Sequence, residues 1–217
     1  MRRDLTTSIL AVVVFTVLLG VLYPFAVWGI GQVAFPGKAD GSQIHMDGRL
    51  VGSSLIGQDF SRPVLDRSGK PKQDEDGNPI IEPDPQWFQG RPSATGYSPS
   101  ATYFANHGPN QASTVAFYKD NLAGYLALER PYARGLTKAQ VPVDAVTASA
   151  SGVDPHISKA NALIQAHRIA AVRRLPVGRV HQLIDDHTDG RFAGLLGEPG
   201  VNVVELNIAL DKEAPVT

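Results

Sequence analysis

No charged side chain occurs between Asp4 and Lys38, and most residues in that stretch are apolar. Its centre, Ile9 to Ile30, holds twenty-two residues, which as a helix span roughly 33 Å, enough for a bilayer core. Tyr23 and Trp28 fall towards the distal end, where amphipathic rings suit a membrane interface. Gly20 and Pro24 permit close helix packing or a kink, which membrane helices tolerate. A cleaved signal peptide is the rival reading. Its apolar core normally runs ~7–15 residues and ends in a small-x-small site. Here the run is longer, and GQVAFPGK offers a poor cleavage site. Arg2 and Arg3 precede the run, while Asp40 and Asp47 offset Lys38. The positive-inside rule therefore keeps the N-terminus cytoplasmic and sends the rest across. The expected organisation is a stub and anchor over residues 1–36, then an extracytoplasmic domain over 37–217.

Within 37–217, Asp47-Gly48 between two apolar runs is a hairpin signal, and a strand through Leu50 and Leu55 should end near Gly57-Gln58. Residues 63–85 are rich in charge, proline and glycine, so they read as an exposed polar insert. PSAT occurs at 92–95 and again at 99–102, too few copies to define a repeat architecture. Helical spacing returns over 111–129, where Val115, Tyr118, Leu122, Tyr125 and Leu126 form a stripe closed by Pro131. A second helix is expected from DPHIS onward, capped by Asp154, with Pro155 in its first turn. Its apolar face is Ile157, Ala160, Ile164, Ala171 and Leu175. VGRVHQLIDDHT reads as a short third helix. GVNVVELNIALD alternates apolar side chains at 204, 206, 208 and 210, and reads as a half-buried strand. Strands, then helices, then a strand make an α+β domain.

The chemistry-bearing residues are sparse. Twenty Lys and Arg against 21 Asp and Glu leave no basic excess for phosphate neutralisation, so nucleic acid is not an expected partner. The absence of cysteine excludes disulfides, thiolate catalysis and cysteine-based zinc sites. The loop VTASASGVDPHIS (146–158) gathers Thr147, Ser149, Ser151, Asp154, His156 and Ser158 around one glycine. A catalytic triad draws its members from distant segments, and no GxSxG elbow is present. The loop therefore reads as a hydroxyl-rich approach to a helix, or as a docking surface. The six histidines show no HExxH spacing, so no metal is expected. Asp74, Glu75 and Asp76 lack the EF-hand ligand pattern. Arg168, Arg173, Arg174 and Arg179 read as a solvated basic face near a helix C-terminus, with no phosphate-binding glycine motif beside them.

Several segments together resemble the C-subunit family of the Kdp potassium-transporting P-type ATPases. They are the anchor with Tyr23-Pro24, SSLIGQDF (53–60), WFQGRPSAT (87–95), VPVDAVTASASGVDPHIS (141–158), the helix with Gln165 and Arg168, and VNVVELNIALD (201–211). The resemblance implies a non-catalytic accessory subunit in the cell (inner) membrane. Its partners would be a channel-like, potassium-binding subunit and an ATP-hydrolysing P-type subunit, with lipid contacting residues 9–30. ATP and K+ would then act through the complex, with no cofactor held by this chain. The family is described as a catalytic chaperone that raises the ATP affinity of the hydrolysing subunit. With the domain outside, such an effect has to pass through the membrane helices. The glutamine linked to nucleotide in the family corresponds to Gln58 or Gln165. The resemblance also implies a subunit interface drawn from Gln58, Arg91, Pro92, Ser93, Thr147, Ser149, Ser151, Asp154, Asn202 and Asn207. Two departures stand out. The family runs more directly from GQ-x-F to RPSA, without the polar insert. Where a glycine-serine-asparagine run usually follows RPSA, this chain has TYFANHGPN (102–110). An anchored exported hydrolase using the serine-rich loop, or a solitary binding domain, is the alternative from another class.

Overall fold

The computed structural model describes residues 2–101, 108, 110–191 and 193–216. The second PSAT copy, Asn106, His107 and Pro109 therefore fall wholly or partly outside the described residues. The chain forms two compact units, Met1–Ser53 and Ser54–Thr217.

In the first unit, α1 (Arg2–Val17), a π-turn (Leu18–Leu22) and α2 (Tyr23–Ala34) make one helix of 33 residues, long and apolar enough to cross a membrane. The π-turn has a local cause. Proline lacks an N–H and its ring presses on the carbonyl four residues back, so the turn before Pro24 widens and the Tyr23 N–H reaches the Leu18 carbonyl. A short turn of helix, α3 (Pro36–Ala39), leads to β1 (Gln43–Met46) and β2 (Arg49–Ser53), paired antiparallel. Asp47 and Gly48 both take positive φ, 49° and 75°, as a two-residue primed turn requires. The hairpin stands where expected, but β2 stops at Ser53 and Leu55 lies exposed beyond it.

The second unit is mixed α/β. β3 (Ser61–Pro63) and β4 (Ile81–Pro83) pair antiparallel around the polar insert. The insert is exposed but not structureless. Isolated bridges join Leu65 to Pro71 and Gln73 to Pro79. Each encloses the same turn: the Asp66 and Asp74 carboxylates accept backbone N–H groups two and four residues on, and Gly69 and Gly77 take positive φ. An eight-residue repeat, D-x-x-G-x-P, writes both turns.

Helix α4 (Ala112–Glu129) matches the expected span, but of its stripe Leu126 is buried while Val115 and Tyr118 are exposed. Then come β5 (His156–Ile157), α5 (Lys159–Arg173), α6 (Val177–Asp186), β6 (Thr188–Asp189), β7 (Gly200–Asn202) and α7 (Val203–Glu213). β5 and β6 flank β7 in an antiparallel sheet. The core lies where α5, α6 and α7 meet this sheet, built from Phe88, Ala162, Ala166, Ile169, Val180, Ile184, Val201, Leu206 and Leu210.

Three expectations are corrected here. Helix α5 begins at Lys159 with Ser158 as its cap, because Asp154 is engaged in the preceding turn and Ile157 is drawn into the sheet. Its buried face is not Ile157, Ala160, Ile164, Ala171 and Leu175; Ala160 and Ala171 are exposed, and Asn161, Gln165, Arg168 and Arg173 go inward with small apolar residues. The expected C-terminal strand survives only as Gly200–Asn202. From Val203 the chain is helical, because Asn202 turns its side chain to accept the Val204 and Glu205 N–H groups. Val203, Leu206 and Leu210 then share one buried face at helical spacing.

Candidate functional site

The densest polar constellation joins WFQGRPSAT to the serine-rich loop. The Ser149 N–H donates to the Pro92 carbonyl (3.1 Å), and the Gly57 N–H to the Val153 carbonyl (2.8 Å). Ser93 Oγ donates to the Gly152 carbonyl (2.5 Å), joined there by Thr95 Oγ1 (3.1 Å). Arg91 donates through Nη2 to Thr147 Oγ1 and the Ala148 carbonyl, while its Nη1 lies 3.5 Å from Asp154 Oδ2. Tyr97, at φ 60°, fits beneath this seam and donates its hydroxyl to the Arg91 carbonyl (2.6 Å). A Cβ on Gly57 or Gly90 would collide with its ring or hydroxyl, so both glycines are there for space. Burial, together with Asp154 and Asp59 nearby, pushes the Tyr97 hydroxyl well above its ordinary range.

Ser149 and Ser151 bond to the loop's own backbone, while Ser158 caps α5 and donates its hydroxyl to the Asp144 carboxylate (2.8 Å). Ser149 Oγ accepts the Gly152 N–H (2.8 Å) and Ser151 Oγ accepts the Val153 N–H (3.2 Å). The His156 ring faces carboxylates on both sides, Asp154 at 3.5 Å and Asp189 at 3.2 Å. The bond to Asp154 holds the imidazole above its usual value against partial burial, and Asp189 adds to it. Partial burial pushes the Asp154 carboxyl up, but the His156 ring and backbone N–H, with Arg91, outweigh it and hold it low.

Arg91, Pro92, Ser93, Thr147, Ser149 and Asp154 thus meet in one seam, with Ser151 in the same loop and Gln58 lining a groove beside it. Asn202 and Asn207 do not join them. Asn202 caps α7 and donates to the Ser54 carbonyl, and the Asn207 amide clamps both backbone groups of Phe88.

A second constellation is the inward row Asn161, Gln165 and Arg168, of which the sequence offered Gln165 and Arg168 only through the family resemblance and the expected basic face, and Asn161 not at all. Arg168 and Glu129 form a fully buried ion pair at 2.9 Å. Arg168 also donates to the Pro85 and Trp87 carbonyls and to Gln165 Oε1. Gln165 accepts the Gln89 N–H and donates to the Gln89 carbonyl and Asn161 Oδ1, which exhausts its amide. Burial pushes the Glu129 carboxyl up, and Arg168 opposes that. The expected basic face is therefore corrected. Arg168 is buried, and Arg173 stacks over Trp87 (4.4 Å) while donating to Gln86 and Ala214 carbonyls. Arg174 ends α5 in a left-handed turn, and Arg179 pairs with Glu213. The i, i+4, i+7 spacing of 161, 165 and 168 was the available signal, since it places three polar side chains on one face.

A family model described as KdpC, K+-transporting ATPase, c chain, matches residues 5–212. The chain belongs to the KdpC family. Among relatives named potassium-transporting ATPase KdpC subunit, that of Polaromonas naphthalenivorans is 43% identical over 219 residues, spanning 100% of this chain and 98% of the relative. The Streptomyces coelicolor protein is 40% identical, spanning 96% of this chain and 92% of its own length. The Mycobacterium bovis protein is 38% identical, spanning 98% and 100%. Both polar constellations lie inside the region that KdpC membership covers.

Proposed function

We infer that this chain is the accessory C subunit of a potassium-transporting ATPase, and is not itself the hydrolysing subunit. Membership of the KdpC family over residues 5–212 carries this reading. The partners are then the potassium-binding and ATP-hydrolysing subunits, and lipid surrounds residues 9–30. Arg2 and Arg3 favour a cytoplasmic N-terminus, with residues 37–217 beyond the (inner) membrane. On that topology any effect on ATP affinity travels through the membrane helices. Gln165 has no amide capacity left for a nucleotide. The seam formed by 91–97 and 147–154 serves as a rigid interface element, with its hydroxyls spent on its own backbone.

The test is purification from native membranes in mild detergent through a tag on Thr217, followed by potassium-stimulated ATP hydrolysis in the eluate. Co-purification of a P-type ATPase and a channel-like subunit with that activity is the expected result. A chain that emerges alone, without ATPase, would overturn it and return the hydrolase alternative. Ser149→Ala leaves the buried Gly152 N–H without its acceptor, a cost of about 1–3 kcal/mol. Ser151→Ala costs less. Both variants should still assemble and support ATP hydrolysis; an assembled but inactive complex would contradict a non-catalytic role.

A further inference from the structure

Beside the seam a groove of about 360 Å³ opens between one face of α4 and segments 58–61 and 89–97. The α4 face is Asn121, Gly124, Tyr125 and Leu128, successive turns of one side of the helix. Gly124 stands out. A glycine inside a helix costs about 1 kcal/mol relative to alanine. Gly57 and Gly90, in loops, make room for Tyr97, but among the described residues a Cβ on Gly124 would meet nothing within 4 Å. None of the described residues in this unit uses the space it leaves.

The charges at the groove that are not engaged elsewhere share one sign. Asp120 comes from α4 and Asp59 from the facing segment, and neither has a cationic partner among the described residues. Arg91 also lines the groove, but Asp154, Thr147 and the Ala148 carbonyl hold its guanidinium. The uncommitted field is therefore negative, above a floor that includes the apolar Phe60 and Leu128.

We propose that this groove is the seat of a sister-subunit segment that lays a lysine or arginine between Asp59 and Asp120 and packs its backbone or a small side chain over Gly124. The proposal rests on the accessory-subunit reading and names the contact that reading requires. A hydrated cation or a second copy of this chain would meet the same charges, so the test separates them.

Three variants are compared with the unaltered chain in the full detergent-solubilised complex: Gly124→Leu, Asp120→Lys and the pair Asp59→Lys with Asp120→Lys. Thermal unfolding of each purified full-length chain checks folding. Gly124→Leu should melt at or above the unaltered chain, because it removes a helix-interior glycine into open space. Retention on the sister subunits through a graded salt wash should nevertheless fall about tenfold for Gly124→Leu and for Asp120→Lys, and further for the pair. Unchanged retention of all three, with the unaltered complex intact, would overturn the groove. So would intact assembly with only an altered potassium requirement, or a shift between dimer and monomer of this chain alone. If the unaltered chain brings down no sister subunit, the accessory-subunit reading fails first and the groove falls with it.

Discussion

Arg168 places a full positive charge where no water reaches, yet its Nε, Nη1 and Nη2 atoms all donate, to four acceptor residues from three parts of the chain. Removing a charge from water costs several kcal/mol, and only such complete pairing offsets it. The consequence is asymmetric. Arg168→Met leaves Glu129 buried without its partner and the Pro85 carbonyl without its donor, and should destabilise by about 3–5 kcal/mol. Arg168→Lys should recover little, since an ammonium cannot reproduce the planar fork. Arg168→Met combined with Glu129→Leu removes both charges and should lose clearly less than Arg168→Met alone. Chemical denaturation of the detergent-solubilised full chain measures all three. Equal losses for the single and double variants would mean that the pair contributes no charge-specific stability.

The sheet β5–β7–β6 has strands of only two or three residues, too short to hold by backbone pairing alone. His156 supplies a further tie. Its ring lies over Gly200 of the central strand, where a Cβ would approach it at 3.3 Å, and it reaches Asp189 on the far strand. Asp154 then links the ring to Arg91. His156 is held above its ordinary value of 6.5, so its contribution is complete below about that pH and fades as pH rises through the raised value. Asp154 is held below its ordinary 3.8, so its contribution is present above that and fades on acidification. The tie is therefore strongest between these limits. Stability of the full chain should decline from pH 6 towards pH 8, and His156→Gln should flatten that decline. An identical pH profile in the variant would show that the imidazole carries none of it. Both side chains are about one-third exposed, so solvent screens the effect to a modest size.

At the scale of the whole molecule, the insert between β3 and β4 is backbone-paired and self-contained, and its residues reach no core cluster. Replacing residues 65–79 by a two-residue Asn-Gly turn should shift the thermal midpoint by no more than a few degrees, since loop length changes closure entropy slowly. A larger loss would reveal that the insert braces the rest of the second unit. The paired turns were written in the D-x-x-G-x-P repeat, but the charge-rich composition masked it.

What the sequence by itself determined was whatever depends on neighbours along the chain. The uncharged N-terminal run, the Asp47-Gly48 turn, the spans of α4 and α6 and the family's segments all follow from adjacent residue types. The tertiary structure decided what adjacent residues leave degenerate. Residues 203–210 fit a period of 2 and a period of 3.6 equally well until Asn202 caps a helix and Asn207 finds Phe88, 119 residues away. Arg168 looked like a surface cation because its acceptors lie 39 to 83 residues distant, apart from Gln165 one turn back. The seam between Arg91–Tyr97 and Thr147–Asp154 has the same origin. Short polar side chains at either segment serve equally well for solvent or for one another, and only the fold, by excluding water between them, makes them partners.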